Sequence, residues 1–222
     1  MKLLILGSTG PTGLLVVRKA LSKYSADDNS FVLYVRSPQK LPAEISTAPR
    51  VSVIEGQLED EDALDKAMED VDIVLSALGP RQFDHPSGTP LAHAYKSIIH
   101  AMKKHHVNRL LALGTASVED PADRFNVVYY GMVKSVSISM RNAYKDIRAI
   151  AEVIRSSGLP HWTIIRVPIL SNNESETVIS GYIGDGKTGN HTFLNRAGFA
   201  LFMVNEIENK EWDLKVPLIV TP

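Results

Sequence analysis

The chain opens MKLLILGSTGPTGLL, residues 1–15, and this stretch decides the fold. Leu3 to Leu6 form a short apolar run, Gly7, Gly10 and Gly13 follow at intervals of three, and a helical stripe then starts at Leu14, Val17 and Leu21. Strand, glycine turn and helix in this order suit a diphosphate. Without Cβ atoms the backbone can come close to the ligand, and the first turn of the helix offers free N–H groups of partial positive charge. Thr9 and Thr12 bring hydroxyl donors to the same turn, which also holds Pro11.

Short runs of the same kind recur at Phe31 to Val35, Val51 to Ile54, Ile73 to Ala77, Leu110 to Leu113, Trp162 to Val167 and Val216 to Val220. They read as buried strands. Single apolar stripes at helical spacing lie between them, at Leu64, Ala67, Met68 and Val71, at Leu91, Tyr95, Ile98 and Met102, and at Ile147, Ile150, Ala151 and Ile154. Strand and helix alternating through short connections predict an α/β domain of the doubly wound, Rossmann type, with a parallel sheet covered on both faces. Residues 1–222 read as one such domain with a small C-terminal substrate-loop region. Ligands of these sheets sit beyond the carboxyl ends of the strands, which makes the loose stretches Gln82 to Thr89, Glu119 to Asn126 and Ser171 to Asn190 candidate site loops.

Composition narrows the function. The chain has 24 basic and 25 acidic residues, a formal charge of −1 and no basic stripe, which argues against nucleic acid as a partner. With no cysteine there is neither a disulfide framework nor a thiolate nucleophile. The longest apolar run, Ala197 to Val204, is far short of the roughly 20 residues that a membrane-crossing helix needs. The opening residues lack the long apolar stretch of a secretory signal, so the expected location is the cytoplasm. His105 and His106 fall near the end of a helix and suggest no metal ligand set. The sequence says nothing of oligomeric state.

The second strand ends in Arg36 and Ser37, where a site preferring NAD would carry an acidic residue for the ribose hydroxyls. A guanidinium there forks onto a 2'-phosphate and stacks on adenine, and Lys40 adds a second cation. The expected cofactor is therefore NADP(H).

With that turn and that arginine, the sequence resembles the atypical short-chain dehydrogenase/reductase group, in particular the NAD(P)H-binding, NmrA-like branch that includes biliverdin and flavin reductases. The likeness runs nearly end to end. GSTGPTG resembles the family's glycine turn, and VRSPQKLP its second-strand segment, in which the basic residues, here Arg36 and Lys40, grip the 2'-phosphate. EGQLED resembles the segment that meets adenine, with Gln57 in the place of the usual acidic residue and Leu58 after it. Leu78, Gly79, Pro80 and Arg81 resemble the segment that passes the ribose. Ala112 to Ser117, including Thr115, resembles the strand end that faces the nicotinamide, and Arg166, Val167 and Pro168 resemble its other border. The resemblance implies an NADPH-dependent oxidoreductase acting on a small planar or aromatic carbonyl, quinoid or flavin-type compound. Two other readings remain open: a non-redox isomerase of the same fold, and an NmrA-like sensor of NADP without catalysis.

Reduction of a carbonyl gains from a proton donor at the developing oxyanion, commonly a tyrosine beside a lysine. Tyr130 and Lys134 have that spacing, and Ser117 resembles their hydroxyl partner. Tyr144, with Arg148 four residues on, is the alternative; a third reading has no essential tyrosine. One helix from Tyr130 to Gly158 would be roughly 43 Å long, more than a crossover needs, so a break is expected around Met140 to Tyr144, with Phe125 to Met140 as a lid or partner surface. Phe83 and His85 are expected to touch substrate, and Phe193, Phe199, Phe202, Trp162 and Trp212 to belong to the core.

Overall fold

The structure, a computed structural model, describes residues 1–81 and 83–222; Gln82, at the head of one candidate site loop, lies outside the described residues. In chain order the elements are β1 (Lys2–Leu6), α1 (Pro11–Lys23), β2 (Ser30–Val35), α2 (Ala43–Ser46), β3 (Val51–Glu55), α3 (Glu61–Met68), β4 (Ile73–Ser76) and α4 (Pro90–Lys104). Then come β5 (Arg109–Thr115), α5 (Val127–Ser139), α6 (Arg141–Arg155), β6 (His161–Val167), β7 (Ile169–Ser171), β8 (Ile179–Gly181), β9 (Phe193–Asn195), α7 (Arg196–Asn209) and β10 (Leu218–Val220).

The main sheet has the order β3-β2-β1-β4-β5-β6-β10-β8, parallel except where β8 runs against β10. Its strand order reverses between β1 and β4, where Leu3 lies beside Phe31 on one side and Ile73 on the other. This is the doubly wound fold that the alternation of runs predicts. Successive side chains of β1 enter opposite faces. Leu4 and Leu6 pack with Tyr95, Ile98, Ile147 and Ile150 beneath α4 and α6, while Leu3 and Ile5 pack with Val16, Val17, Phe199 and Met203 beneath α1 and α7. Both faces are thus sealed by helices, and the ligand must use the strand ends.

Several elements depart from the sequence reading. The last strand is shorter than its apolar run, Leu218–Val220, because Pro217 has no N–H to give to a ladder. α7 was hidden in the sequence because its first turn and its apolar positions run together as AGFALFMV, with no polar face to mark a stripe. β7 and β9 form a small second sheet of their own. The break expected after Tyr130 is present, at Met140 (φ −128°, ψ 47°), and divides α5 from α6.

Candidate active site

Gly7 takes φ +76° and packs against the backbone of Ala77 and Leu78 after β4; a Cβ there would meet the Ala77 carbonyl carbon at 2.9 Å. At Gly13 a Cβ would lie 2.1 Å from Gly7 O. The fold itself demands these two glycines, which let β1, β4 and α1 converge. Gly10 differs, for a Cβ on it would meet only Gly7 O, at an ordinary 3.4 Å, and its φ of −82° suits any residue. The space that a side chain would fill at Gly10 is cavity.

That cavity, about 470 Å³, lies at the carboxyl ends of the strands beside the point where their order reverses. Gly10, Pro11, Thr12 and Gly13 form one wall, Ala77, Gly79, Pro80 and Arg81 the next, then Leu113, Thr115, Ala116 and Ser117 from β5 and beyond, and Val167, Pro168, Ile169 and Leu170 from the end of β6 into β7. The remaining wall is apolar: Met132, Val133, Val136 and Met140, with Ala143, Tyr144 and Ile147 of α6. Arg196, first residue of α7, completes it. Among the described residues no side chain caps the amino terminus of α1, and no acidic residue occupies its first turn, so its N–H groups suit an anion.

Arg36 and Lys40 are exposed just past β2, Ser37 beside them, with Lys40 closing the tight turn Pro38–Lys40. Gln57 and Leu58 follow β3, held beside β2 by Tyr34 Oη, which donates to Gln57 O at 2.5 Å. Burial and the acidic neighbours Asp60 and Glu59 push the Tyr34 hydroxyl up to about 12, so it stays a donor. The predicted adenosine-side residues therefore follow the ends of adjacent strands β2 and β3, one strand over from Gly7 and Thr9 at the end of β1. Leu78, just past β4, packs against the core rather than lining the cavity, its N–H donating to Ser76 Oγ at 3.4 Å.

The tyrosines separate by role. Tyr129 is buried and donates to His191 O; burial holds its hydroxyl up at about 12, and it pins α5 to the loop before β9. Tyr130 is 60% exposed and stacks obliquely near Phe125, ring centres 6.1 Å apart. Together with Lys134 it lines an adjoining cleft of about 330 Å³, and neither residue is in the wall of the main cavity. Tyr144 and Ser117 line both. Arg148 Nη1 donates to Tyr144 Oη at 3.0 Å while also pairing with Glu119, and that contact holds the Glu119 carboxyl below the usual range. The phenolic oxygen accepts from a cation, which leaves the phenol's own hydrogen for an acceptor in the cavity.

Three residues lie elsewhere than expected: His85, expected at the substrate, and Arg166, expected beside the nicotinamide, belong to the framework, and Phe193, expected in the core, to the surface. His85 is buried: its Nδ1 accepts from Arg81 N–H at 3.2 Å and its Nε2 meets Asp146 Oδ2 at 2.7 Å. The same fully buried carboxylate accepts from Leu91 and Ala92 N–H, both at 2.9 Å, and so caps α4, whose own cap position, Thr89, makes no side-chain bond. Arg166 is wholly buried, forked onto Asp123 at 2.6 and 2.8 Å, and only its neighbours Val167 and Pro168 reach the cavity. Phe193 is 54% exposed rather than core, since β9 is one edge of a two-stranded sheet. Arg196 was missed in the sequence, where nothing marks it, while Met132 and Met140 lie in the stretch expected as a lid or partner surface; the three converge on the cavity only through tertiary packing.

Residues 7–210 match the NAD(P)H-binding family model. The chain belongs to that family. No curated protein sequence matches it. Among solved structures, the chain superposes over its full length on a wide-type short-chain dehydrogenase/reductase from Veillonella parvula in complex with NADP (18% identity, TM-score 0.79, 94% of that chain). It also matches an anaerobillin reductase from Escherichia coli O157:H7 (16%, 0.75, 100% of this chain and 98% of that one). A putative NADH-flavin reductase from Streptococcus pneumoniae is matched with 16% identity, TM-score 0.75 and full coverage of both chains. At these identities the likeness is one of fold, and it agrees with the resemblance to atypical short-chain dehydrogenases/reductases read from the motifs. The residues present fit the cofactor: the opening at Gly10 and the uncapped helix beside it make a cradle for its diphosphate. Among the described residues no group of three or more metal-ligating side chains converges, and no helix is long and apolar enough to cross a membrane.

Proposed function

We propose that this protein is an NADPH-dependent reductase of a small, planar acceptor, a quinoid, an aromatic carbonyl or a flavin. The observation that carries the reading is the continuity of one cavity from the glycine turn to a chamber walled by Met132, Val136, Met140 and Ile147. A flat, polarisable ring fits between such methionines and the strand ends. The reductases of flavin and of anaerobillin among the structural neighbours support the same acceptor class.

In this reading Gly10 to Gly13 and the amino terminus of α1 hold the diphosphate, Arg36 and Lys40 the 2'-phosphate, and Gln57 and Leu58 border adenine. Gly7, Thr9, Pro11, Thr12, Ser37, Leu78, Gly79 and Arg81 complete the cofactor cradle, and Thr115, Val167 and Pro168 flank the nicotinamide end. The reduced cofactor supplies a hydride. Tyr144 supplies the proton, from a hydroxyl oxygen that already accepts from Arg148, and Ser117 orients the acceptor oxygen. The apolar face of α5 keeps water from the reacting pair. Tyr130 and Lys134 line the adjoining cleft, from which they meet the outer part of a larger acceptor.

The test is oxidation of NADPH in the presence of menadione, FMN and aromatic aldehydes. Turnover with at least one acceptor is expected, with Tyr144→Phe reducing kcat about 10²- to 10⁴-fold on carbonyl acceptors and Tyr130→Phe leaving it within a factor of about three. Equal, wild-type rates in both variants would remove tyrosine from the chemistry. Tight nucleotide binding without turnover of any acceptor would favour the sensor reading, to which the exposed Phe125, Val127 and Ile138 offer a partner surface.

A further inference from the structure

We infer that Arg196 is a second cationic contact for the cofactor's diphosphate, delivered by the helix that packs beside the glycine turn. The inference rests on the cofactor lying along that turn and extends the site to a residue far away in sequence. α1 and α7 run side by side and in the same direction. At their carboxyl ends Lys23 donates to Asn205 Oδ1 and pairs with Glu208, both at 3.1 Å, and Tyr24 Oη donates to Val204 O at 3.4 Å. Parallel packing therefore brings both amino termini to the same end of this helix layer.

Both amino termini open on one cavity, Gly10 to Gly13 on one side and Arg196 on the other. α7 has no acidic residue in its first turn and, among the described residues, no side-chain cap: Asn195 instead donates its amide N–H to Ser175 O and accepts from Ser171 Oγ at its Oδ1. The guanidinium of Arg196 is under-used. Among the described residues Nη1 donates to Asn172 Oδ1 at 2.6 Å, while Nε is buried without a partner. A guanidinium has five N–H donors, and a partly buried one left so short of acceptors is costly unless an anion supplies them. An anion set between the two helix ends receives their N–H groups from one side and this fork from the other.

Calorimetric titration of the full chain with NADP⁺ and with NAD⁺ tests this. A diphosphate contact is common to both nucleotides, so Arg196→Leu is expected to weaken them by the same factor, about 10- to 100-fold, as loss of a charge-assisted contact implies. Arg196→Lys is expected to fall between, and the melting temperature without nucleotide to stay within a few degrees of wild type. Unchanged affinity for both nucleotides overturns the inference, as does an acceptor KM that rises while nucleotide affinity is intact, since that assigns the guanidinium to substrate. If the leucine variant does not fold, the lysine variant decides: an equal loss for both nucleotides supports the contact, and no loss refutes it. A wild-type protein that binds both nucleotides but reduces no acceptor defeats the proposed function while leaving this inference standing.

Discussion

Gly10→Ala is expected to remove most cofactor affinity without harming the fold, and Gly13→Ala to destabilise the fold itself. The two glycines sit three residues apart in one turn, yet only one is needed by the protein's own packing. At Gly13 the new methyl meets backbone, Gly7 O at 2.1 Å and Ser8 Cα at 2.9 Å, which no side-chain motion relieves. Overpacking against fixed backbone costs about 3 kcal/mol or more, or roughly 6–12 °C in melting temperature for a chain of this size. At Gly10 the methyl finds 3.4 Å of room and a backbone conformation that alanine adopts freely, so stability stays within about 1 kcal/mol of wild type. The methyl projects where the diphosphate is to approach, and NADP⁺ affinity falls by about 10- to 100-fold. Thermal melts and titrations of the pair check both halves. A Gly10→Ala protein that binds nucleotide normally would mean that the turn's opening serves no ligand.

Asp146→Ala is the substitution expected to cost most stability outside the glycine turn. Its carboxylate, fully buried, satisfies three donors at once: the first free N–H groups of α4, from Leu91 and Ala92, and the His85 ring. Removing it leaves all three without an acceptor in the interior, about 3 to 5 kcal/mol, which corresponds to roughly 6–20 °C in melting temperature. Asp146→Asn keeps an oxygen for the helix and loses less, about 1 to 2 kcal/mol. The effect extends to function. His85 receives the Arg81 N–H and, through its own carbonyl, the Asn142 amide at 3.0 Å, so the latch fixes the segment that carries Gly79 to Arg81 into the cavity wall. Amide exchange in that segment is therefore expected to speed up in Asp146→Asn while β1 and β5 remain protected. Exchange that rises evenly over the whole chain would contradict a local latch.

The parts legible in the sequence are those set by local chemistry. Period, glycine spacing and the runs of β-branched residues in strands such as FVLYV declare the sheet and the turn, because buried parallel strands must be apolar on both faces. The break after α5 was legible as well, from length alone. What could not be read was each side chain whose role comes from a distant partner. His85 looks like a loop residue free to meet substrate until Asp146, 61 positions away, is seen to hold it. Arg166 looks like a site arginine because it adjoins Val167 and Pro168, but strand alternation turns it to the opposite face, onto Asp123. Tyr130 and Lys134 have the right spacing on a helix, yet the direction in which α5 turns its faces is settled by Tyr129, its one buried residue. Tyr144 reaches the cavity because the break at Met140 re-aims the chain.

In the proposed function the turn after β1 and the cations after β2 together hold one phosphorylated dinucleotide. Titration of the wild-type protein and of Arg36→Glu with NADP⁺ and NAD⁺ tests it most directly. The wild type is expected to bind NADP⁺ at least about tenfold more tightly than NAD⁺, and Arg36→Glu to erase or invert this ratio by weakening NADP⁺ alone. Absence of binding to either nucleotide, or an equal loss of both in Arg36→Glu, would contradict it.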